Sequence, residues 1–295
     1  MTRQQVFHQP VLVKEIVEMM NIREDGLYCD CTVGGAGHLL AMLRSSVTAR
    51  FIGIDRDPEA VAYAQRATAD YRERCCLIEN NFFNLDLILD QINIGSIDGV
   101  LFDLGVSYHQ LTTPERGFSF ERLGDLLMTM SPAETSLIEK LRRSDEQEVT
   151  RVLRDYGEVR NYKKLGKKIY ENRDALKTTL DLRRLIEESV PRRYLKKNLH
   201  KVFQALRIWT NDELENLEAG LSIALRRLGR QGRMLVVAYH SGEDRIVKRF
   251  FHAAKNEGHI HVLNKRVIKP SAAEIDENPS SRSAKLRVAE KCASS

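Results

Sequence analysis

Short unbroken apolar runs alternate along the first third of the chain with segments whose apolar residues recur every three or four positions. The runs "GLYCDCTV" (26–33), "RFIGIDRD" (50–57), "CCLIENNF" (75–82) and "IDGVLFDLGVS" (97–107) read as buried strands. Between them "HLLAMLRSS" (38–46), "PEAVAYAQRATADYRER" (58–74) and "LDLILDQIN" (85–93) read as helices, the second with Pro58 in its first turn. Repeated β-α units of this kind predict a parallel, doubly wound sheet.

The pattern breaks after residue 111. Residues 111–132 hold turn residues, aromatics and methionines with no clear period, and helical patterns alone follow to about Asn211. "DELENLEAGLSIALRRLG" predicts a further helix, stopped by Gly229, before the buried strand "GRMLVVAYHS" and the helix "EDRIVKRFFHAA". The tail offers two β-like runs, "HIHVLNKRVI" and "AKLRVAEK", joined by a polar loop with two prolines. The expected organisation is one α/β domain, residues 1–111 and 212–295, interrupted by an all-helical insertion at 112–211.

Charge sharpens this division. The chain has 295 residues and a formal net charge of +5. Residues 137–207 carry 20 Lys/Arg against 11 Asp/Glu, and residues 240–295 carry 11 against 7, which leaves the remainder at net −8. A polyanionic partner would explain a basic segment and a basic tail on an acidic body, and a solvated helical face is the plain alternative. Lys163, Lys164, Lys167 and Lys168 recur at helical spacing, and Arg192, Arg193, Lys196 and Lys197 follow. Five cysteines form no CxxC pair, and no Cys/His spacing suits zinc, so reduced thiols and no metal are expected. The absence of a long apolar run or an apolar leader core predicts a cytoplasmic protein without a membrane span.

The candidate chemistry begins at "DCTVGGAGHLL" (30–40). Gly34, Gly35, Ala36 and Gly37 follow the first strand, where small residues let a ligand approach the backbone; a plain tight turn would look the same. Asp55 ends the second strand about 20 residues on, the place of a ribose-binding acid. The sixth position counted from Gly35 is Leu40 rather than glycine, and no GxxxxGK[ST] occurs. A nucleoside cofactor without a pyrophosphate fits better than a dinucleotide, and S-adenosylmethionine (SAM) is the main such cofactor on this fold. Phe82 could border an adenine ring or simply fill the core. Asp103 ends the fourth strand at the switch in strand order, facing both cofactor and pocket. There a carboxylate could accept N–H bonds from an exocyclic amine nucleophile and offset its developing positive charge. Binding a cofactor amine or capping a turn is the simpler role. His240 and Ser241, ending the fifth strand, could place a base or its phosphate, or form a strand-end turn.

These motifs carry a resemblance. "HQPVL" (8–12), "DCTVGGAGH" (30–38), "GIDRDPEAV" (53–61), "DGVLFDLGVSYHQLTTPERGFSF" (98–120), "VFQALRIWTNDELENLE" (202–218), "YHSGEDRIVKRFF" (239–251) and "NPSSRSAKLRVAEK" (278–291) occur in this order. Together they resemble the MraW (RsmH) family of ribosomal RNA cytosine-N4 methyltransferases, from His8 to Lys291. The resemblance implies a Rossmann-like class I methyltransferase fold with SAM as cofactor. It implies that Ala36, Gly37, His38, Asp55, Phe82, Asp103 and Gln110 line the SAM site. The implied partner is small-subunit ribosomal RNA, methylated at a decoding-centre cytidine, or the small ribosomal subunit itself; a homodimer is compatible with it. Three stretches depart from the family pattern. Leu123, Leu127, Thr129 and Ser131 stand where three acids and an arginine are usual, Gly242 where leucine is usual, and Ser280 where arginine is usual. A methyltransferase of another substrate and a catalytically idle RNA-binding or ribosome-assembly factor are the alternative readings.

Overall fold

The computed structural model describes residues 10–293, so His8 of the first motif lies outside the described residues. It divides into two compact units, Tyr108–Glu213 and the remainder. The helical unit thus begins before the expected 112 and ends after 211, and Gln110 belongs to it rather than to the α/β unit.

The α/β unit begins with α1 (Val13–Met20), β1 (Leu27–Asp30), α2 (Gly37–Arg44), β2 (Arg50–Asp55), α3 (Pro58–Ala67), β3 (Cys75–Glu79), α4 (Leu85–Gln91) and β4 (Ile97–Asp103). Asp57 caps α3 by accepting from the Glu59 amide, and Pro58 occupies the first turn, where its missing N–H costs nothing. The helical unit holds α5 (Tyr108–Thr112), α6 (Leu137–Arg143), α7 (Glu146–Asp155), α8 (Tyr162–Glu171), α9 (Thr179–Glu187) and α10 (Leu195–Thr210). The chain then returns through α11 (Glu213–Arg227), β5 (Leu228–Ala238), α12 (Ser241–Asn256), β6 (Ile260–Val262), α13 (Ala272–Glu277) and β7 (Lys285–Lys291).

The strands form one sheet in the order β3-β2-β1-β4-β5-β7-β6. The pairs from β3 through β5 are parallel, as the alternating pattern predicts, and β7 lies antiparallel to both β5 and β6. The order reverses between β1 and β4, which is where open α/β sheets bind their ligands. Strand alternation sends Cys29, Ile52, Val100, Phe102 and Val236 to one face, against Leu85 and Ile88 of α4, Leu221 of α11 and Phe251 of α12. Tyr28, Phe51, Leu101, Leu235 and Leu286 fill the other face, against Ile16 and Met20 of α1 and Leu39 and Met42 of α2.

Two expectations need correction. Gly229 does not stop α11: the helix ends at Arg227 and Leu228 already pairs with Ile97. The glycine lies inside β5, where a register shift takes up the extra residues before Arg233 pairs with Gly99. A bulge of this kind keeps pairing going where periodicity alone suggests a stop. The tail's polar loop also contains α13 and a 3₁₀ turn at 279–283. Ser271 nucleates α13 by accepting from the Glu274 amide.

Inside the helical unit, the apolar faces of α6 to α10 meet through Leu141, Val149, Leu153, Leu165, Ile169, Leu182, Ile186, Val202 and Leu206, all buried. Side-chain caps fix the helix starts: Ser136 with Glu139, Asp145, and Thr178 with Asp181. The irregular stretch before α6 is ordered by Asn211. Its side chain donates to the carbonyls of Met128 and Arg207 and accepts from the Met130 amide. Among the described residues no helix is long and apolar enough to cross a membrane.

Candidate functional site

The glycine turn is built from backbone conformations that side chains resist. Gly34 has φ +48° and Ala36 φ +59°, both left-handed. That geometry turns the chain, four residues beyond β1, directly into α2, with Ala36 at the helix N-cap and Gly35 half-buried in the turn. Gly37 is small because of a neighbour: a Cβ there would sit 2.6 Å from the Pro10 ring. The segment at Pro10–Leu12 therefore packs onto the first turn of α2.

Asp55 holds the turn together. Its Oδ2 accepts from the Gly34 amide at 2.8 Å and its Oδ1 from the Asp57 amide at 2.9 Å. A carboxylate offers about four acceptor sites, so capacity remains for two hydroxyls. Withdrawal from water outweighs these bonds and pushes its pKa up to about 6.

Asp103 lies at the end of β4, across the switch point from this turn. Its amide donates to Thr32 Oγ1 at 2.6 Å, tying β4 to the segment after β1. Its Oδ1 accepts from the Tyr239 hydroxyl at 2.8 Å, and its Oδ2 lies 3.4 Å from His38 Nδ1. The His38 and Asp103 side chains are only 5% and 8% exposed, so this contact is shielded from water. The other ring nitrogen, Nε2, lies 2.8 Å from the Val11 carbonyl. Behind the pair sits Asp30, fully buried at the end of β1; its Oδ1 accepts from the Thr32 amide and its Oδ2 has no hydrogen-bond partner among the described residues. Burial pushes Asp30 up to about 7.

Phe82 sits in a 3₁₀ turn after β3, half-buried, with its ring edge-on to Phe102 at 5.3 Å. The close approach of α11 leaves room only for Gly220 beside it, since a Cβ there would lie 2.7 Å from the Phe82 ring. Gln110 is buried on α5 of the helical unit. The α/β unit thus gathers Gly35, Ala36, Gly37, His38, Asp55, Phe82 and Asp103 around its switch point. His240 acts locally. Its Nδ1 accepts from the Gly242 and Glu243 amides and caps α12, while Glu243 reaches back to the Tyr239 and His240 amides.

Sequence reasoning missed Asp30, Thr32, Tyr239 and the Val11 carbonyl. Asp30 had a signal, an acid closing an apolar strand run. Tyr239 was visible only as the neighbour of His240, and a carbonyl leaves no mark in a sequence at all.

The residues fit a nucleoside cofactor that carries positive charge. Asp30, Asp55 and Asp103 converge at the ends of three adjacent strands, and Asp30 has a buried oxygen with no donor among the described residues. A ligand bearing an ammonium and a sulfonium answers that excess of acceptors, and a polyphosphate would be repelled by it.

Comparison with known proteins agrees. The chain is 42% identical over 287 residues to the ribosomal RNA small subunit methyltransferase H of Coprothermobacter proteolyticus, covering 96% of each chain. The proteins of the same name from Thermotoga neapolitana and Trichormus variabilis are 38% and 40% identical, with 96% of this chain covered in both and 96% and 92% of theirs. A model of the MraW methylase family matches residues 5–292. The chain belongs to the MraW methylase family, and is a SAM-dependent methyltransferase.

Proposed function

We propose that this chain methylates the N4 amine of a cytidine in the decoding centre of small-subunit ribosomal RNA. The observation that carries the reading is the placement of Asp103. A buried carboxylate closes β4 at the switch point, pinned through one oxygen by Tyr239 and approached at the other by His38. The relatives' name, ribosomal RNA small subunit methyltransferase H, supports the substrate class. The basic surface of the helical unit supports a polyanionic partner.

When bound, SAM supplies a methyl carbon on a positively charged sulfur, open to in-line attack by a nucleophile. In this reading Asp55 accepts the two ribose hydroxyls, the backbone of 34–37 lines the nucleoside, and Phe82 borders the base. The family resemblance adds Gln110 to the cofactor's partners. Asp103 accepts an N–H of the incoming amine. That bond draws the nitrogen lone pair out of conjugation with the ring, orients it, and offsets the charge that develops on nitrogen. Because the carboxylate is already held by Tyr239, little reorganisation is needed at the moment of reaction.

The deciding experiment compares small-subunit ribosomal RNA from cells with and without the gene by nucleoside mass spectrometry. Loss of an N4-methylated cytidine in the deletion, restored by the wild-type gene and not by Asp103→Ala, is the expected result. An unchanged cytidine pool removes the reading. Rescue of a different methylated nucleoside would point instead to another substrate. The segment at 123–131, where Asp125 is the single charged residue, gives that outcome a physical basis.

A further inference from the structure

We propose that Tyr194 and the cations around it form a docking surface for an unpaired stretch of the RNA substrate: the tyrosine stacks on one exposed base, and the cations meet the flanking phosphates. The inference rests on the ribosomal RNA reading above, but not on which atom of that RNA is methylated.

The sequence PRRYLKKNLHK, residues 191–201, holds five Lys/Arg and no acid. Arg192, Arg193, Lys196 and Lys197 are exposed, and so is Tyr194 between them. Elsewhere in the helical unit, surface cations are interleaved with acids. Lys167 and Lys168 reach Glu171 and Glu188, Arg154 pairs with Asp155, and Arg183 pairs with Glu187. A cationic run without acids creates a local positive field, which a polyanion answers. Two of its members, Lys196 and Lys197, sit in the first turn of α10. The helix dipole disfavours cations at that end, so the stability of α10 does not account for them.

The aromatic ring is a separate observation. Tyr194 closes a 3₁₀ turn at 192–194 and remains 45% exposed. Its backbone is fixed on both sides: the amide donates to the Pro191 carbonyl at 2.8 Å, and the carbonyl accepts from Asn198 Nδ2 at 2.9 Å. A ring presented from a fixed turn loses little backbone freedom on binding. Arg193 Cζ lies 4.7 Å from the ring centroid. Aromatic rings and guanidinium planes are the surfaces on which unstacked bases of RNA settle. Other tyrosines of the unit are placed differently. Tyr162, beside the lysines that open α8, is half-buried. Tyr170 is half-buried as well, and the arginine over it, Arg173, donates to the Tyr170 carbonyl and closes the end of α8.

The combination selects its partner. In an A-form duplex the bases stack on one another, and side chains cannot read the deep, narrow groove. A tyrosine face therefore serves a base that has left the stack, whereas lysine and arginine meet paired and unpaired phosphates alike. An acidic protein segment would engage the cations and leave the ring without a planar partner.

The test uses the full-length protein and two RNA probes of one sequence from the small-subunit RNA, single-stranded and fully paired. Tyr194→Ala should weaken single-strand binding by about tenfold and leave duplex binding within about twofold. The loss should be the same at every salt concentration, because stacking releases no counterions. Tyr194→Phe keeps the ring and should restore wild-type binding. Lys196→Glu combined with Lys197→Glu should weaken both probes. Its single-strand dependence on log salt should be shallower by about 0.7 for each phosphate no longer neutralised. The melting temperature should hold in Tyr194→Ala and hold or rise in the double variant. Equal losses on the two probes, failure of phenylalanine to rescue, or wild-type single-strand binding by Tyr194→Ala would each overturn the proposal. If the ring dependence holds while the cytidine pool is unchanged in the nucleoside assay, the target reading fails and the docking surface stands. If the cytidine is methylated and the ring is dispensable, the docking surface alone fails.

Discussion

The two units use charge in opposite ways. In the α/β unit the ionisable groups at the switch point are withdrawn from water: Asp30 and His38 are buried, the Asp103 side chain is only 8% exposed, and each is held by a named backbone or side-chain partner. In the helical unit, Lys163, Lys164, Arg192, Arg193, Lys196 and Lys197 stand exposed. Lys167 and Lys168 reach Glu171 and Glu188 at the surface. Buried charge is weakly screened and set in place, which suits chemistry at one atom. Exposed charge is screened and mobile, which suits the long, repetitive charge of a nucleic-acid backbone. Substitutions should therefore differ in kind as well as in size between the two units.

The sharpest break is at Asp103. Asp103→Ala should reduce turnover by about 10²–10³-fold, the usual loss when a preorganised transition-state interaction is removed. RNA affinity, measured by filter binding, should change far less. Equal losses in both would mean that the carboxylate serves binding and that the two units share one role.

Asp55 tests the cofactor half. Asp55→Ala should weaken SAM binding by ~1.5–3 kcal/mol, the worth of hydrogen bonds to a charged group. Calorimetry reads this directly, and unaltered affinity places the ribose elsewhere. The wild type carries a pH signature of the same residue. Its hydroxyl-accepting form is the carboxylate, and its pKa is raised to about 6. SAM affinity should fall as pH is lowered through about 6. The stability of the ligand-free fold has the opposite sign. With Asp30 near 7 and Asp55 near 6, these two groups hold more protons in the folded chain than in the unfolded one, so their contribution to stability is present below pH ~4 and is lost as pH rises through 6 to 7. Asp30→Asn should flatten that decline in melting temperature, and an unchanged slope would contradict the buried-acid assignment.

Asn211 probes the helical unit's own cohesion. Asn211→Ala removes three hydrogen bonds to the segment at 128–130 and to α10, leaving the Met130 amide without that acceptor. A cost of ~1–3 kcal/mol is expected. Urea unfolding followed by the fluorescence of Trp209, the single tryptophan, measures it. SAM affinity should barely move, and a large drop would tie the segment to the cofactor.

The same contrast explains what could be read from the chain. The sheet was legible because buried parallel strands are written as apolar runs. The glycine turn and its acid were legible because Gly34–Gly37 and Asp55 follow or close strands fixed by that pattern. Helices α6 to α10 were legible because each buries one apolar stripe. The Asp103–His38–Tyr239 arrangement was not. His38 and Tyr239 are 201 positions apart in the numbering, and their meeting depends on where β4 and β5 end rather than on any local rule. The bulge at Gly229–Arg233 escaped for a related reason: its register is set by pairing with β4. Helical spacing puts the four lysines of α8 on one stretch of basic surface, and the structure separates them.

That separation gives the finest test. Lys163 and Lys164 are exposed at the start of α8, while Lys167 lies 3.7 Å from Glu171 and Lys168 lies 2.9 Å from Glu188. A lysine already near a carboxylate has less net charge to offer a phosphate, although exposed pairs of this kind are worth only ~0.2–1 kcal/mol. Reversing Lys163 and Lys164 to Glu should weaken RNA binding and make its dependence on log salt shallower by about 0.7–0.9 for each phosphate no longer neutralised. Reversing Lys167 and Lys168 should do less, because repulsion from Glu171 and Glu188 is relieved by local side-chain movement at the surface. Binding isotherms at four salt concentrations would rank the pairs. Equal slopes for both would show that surface pairing does not ration charge here, and an unchanged slope in both would turn this helix face away from the RNA.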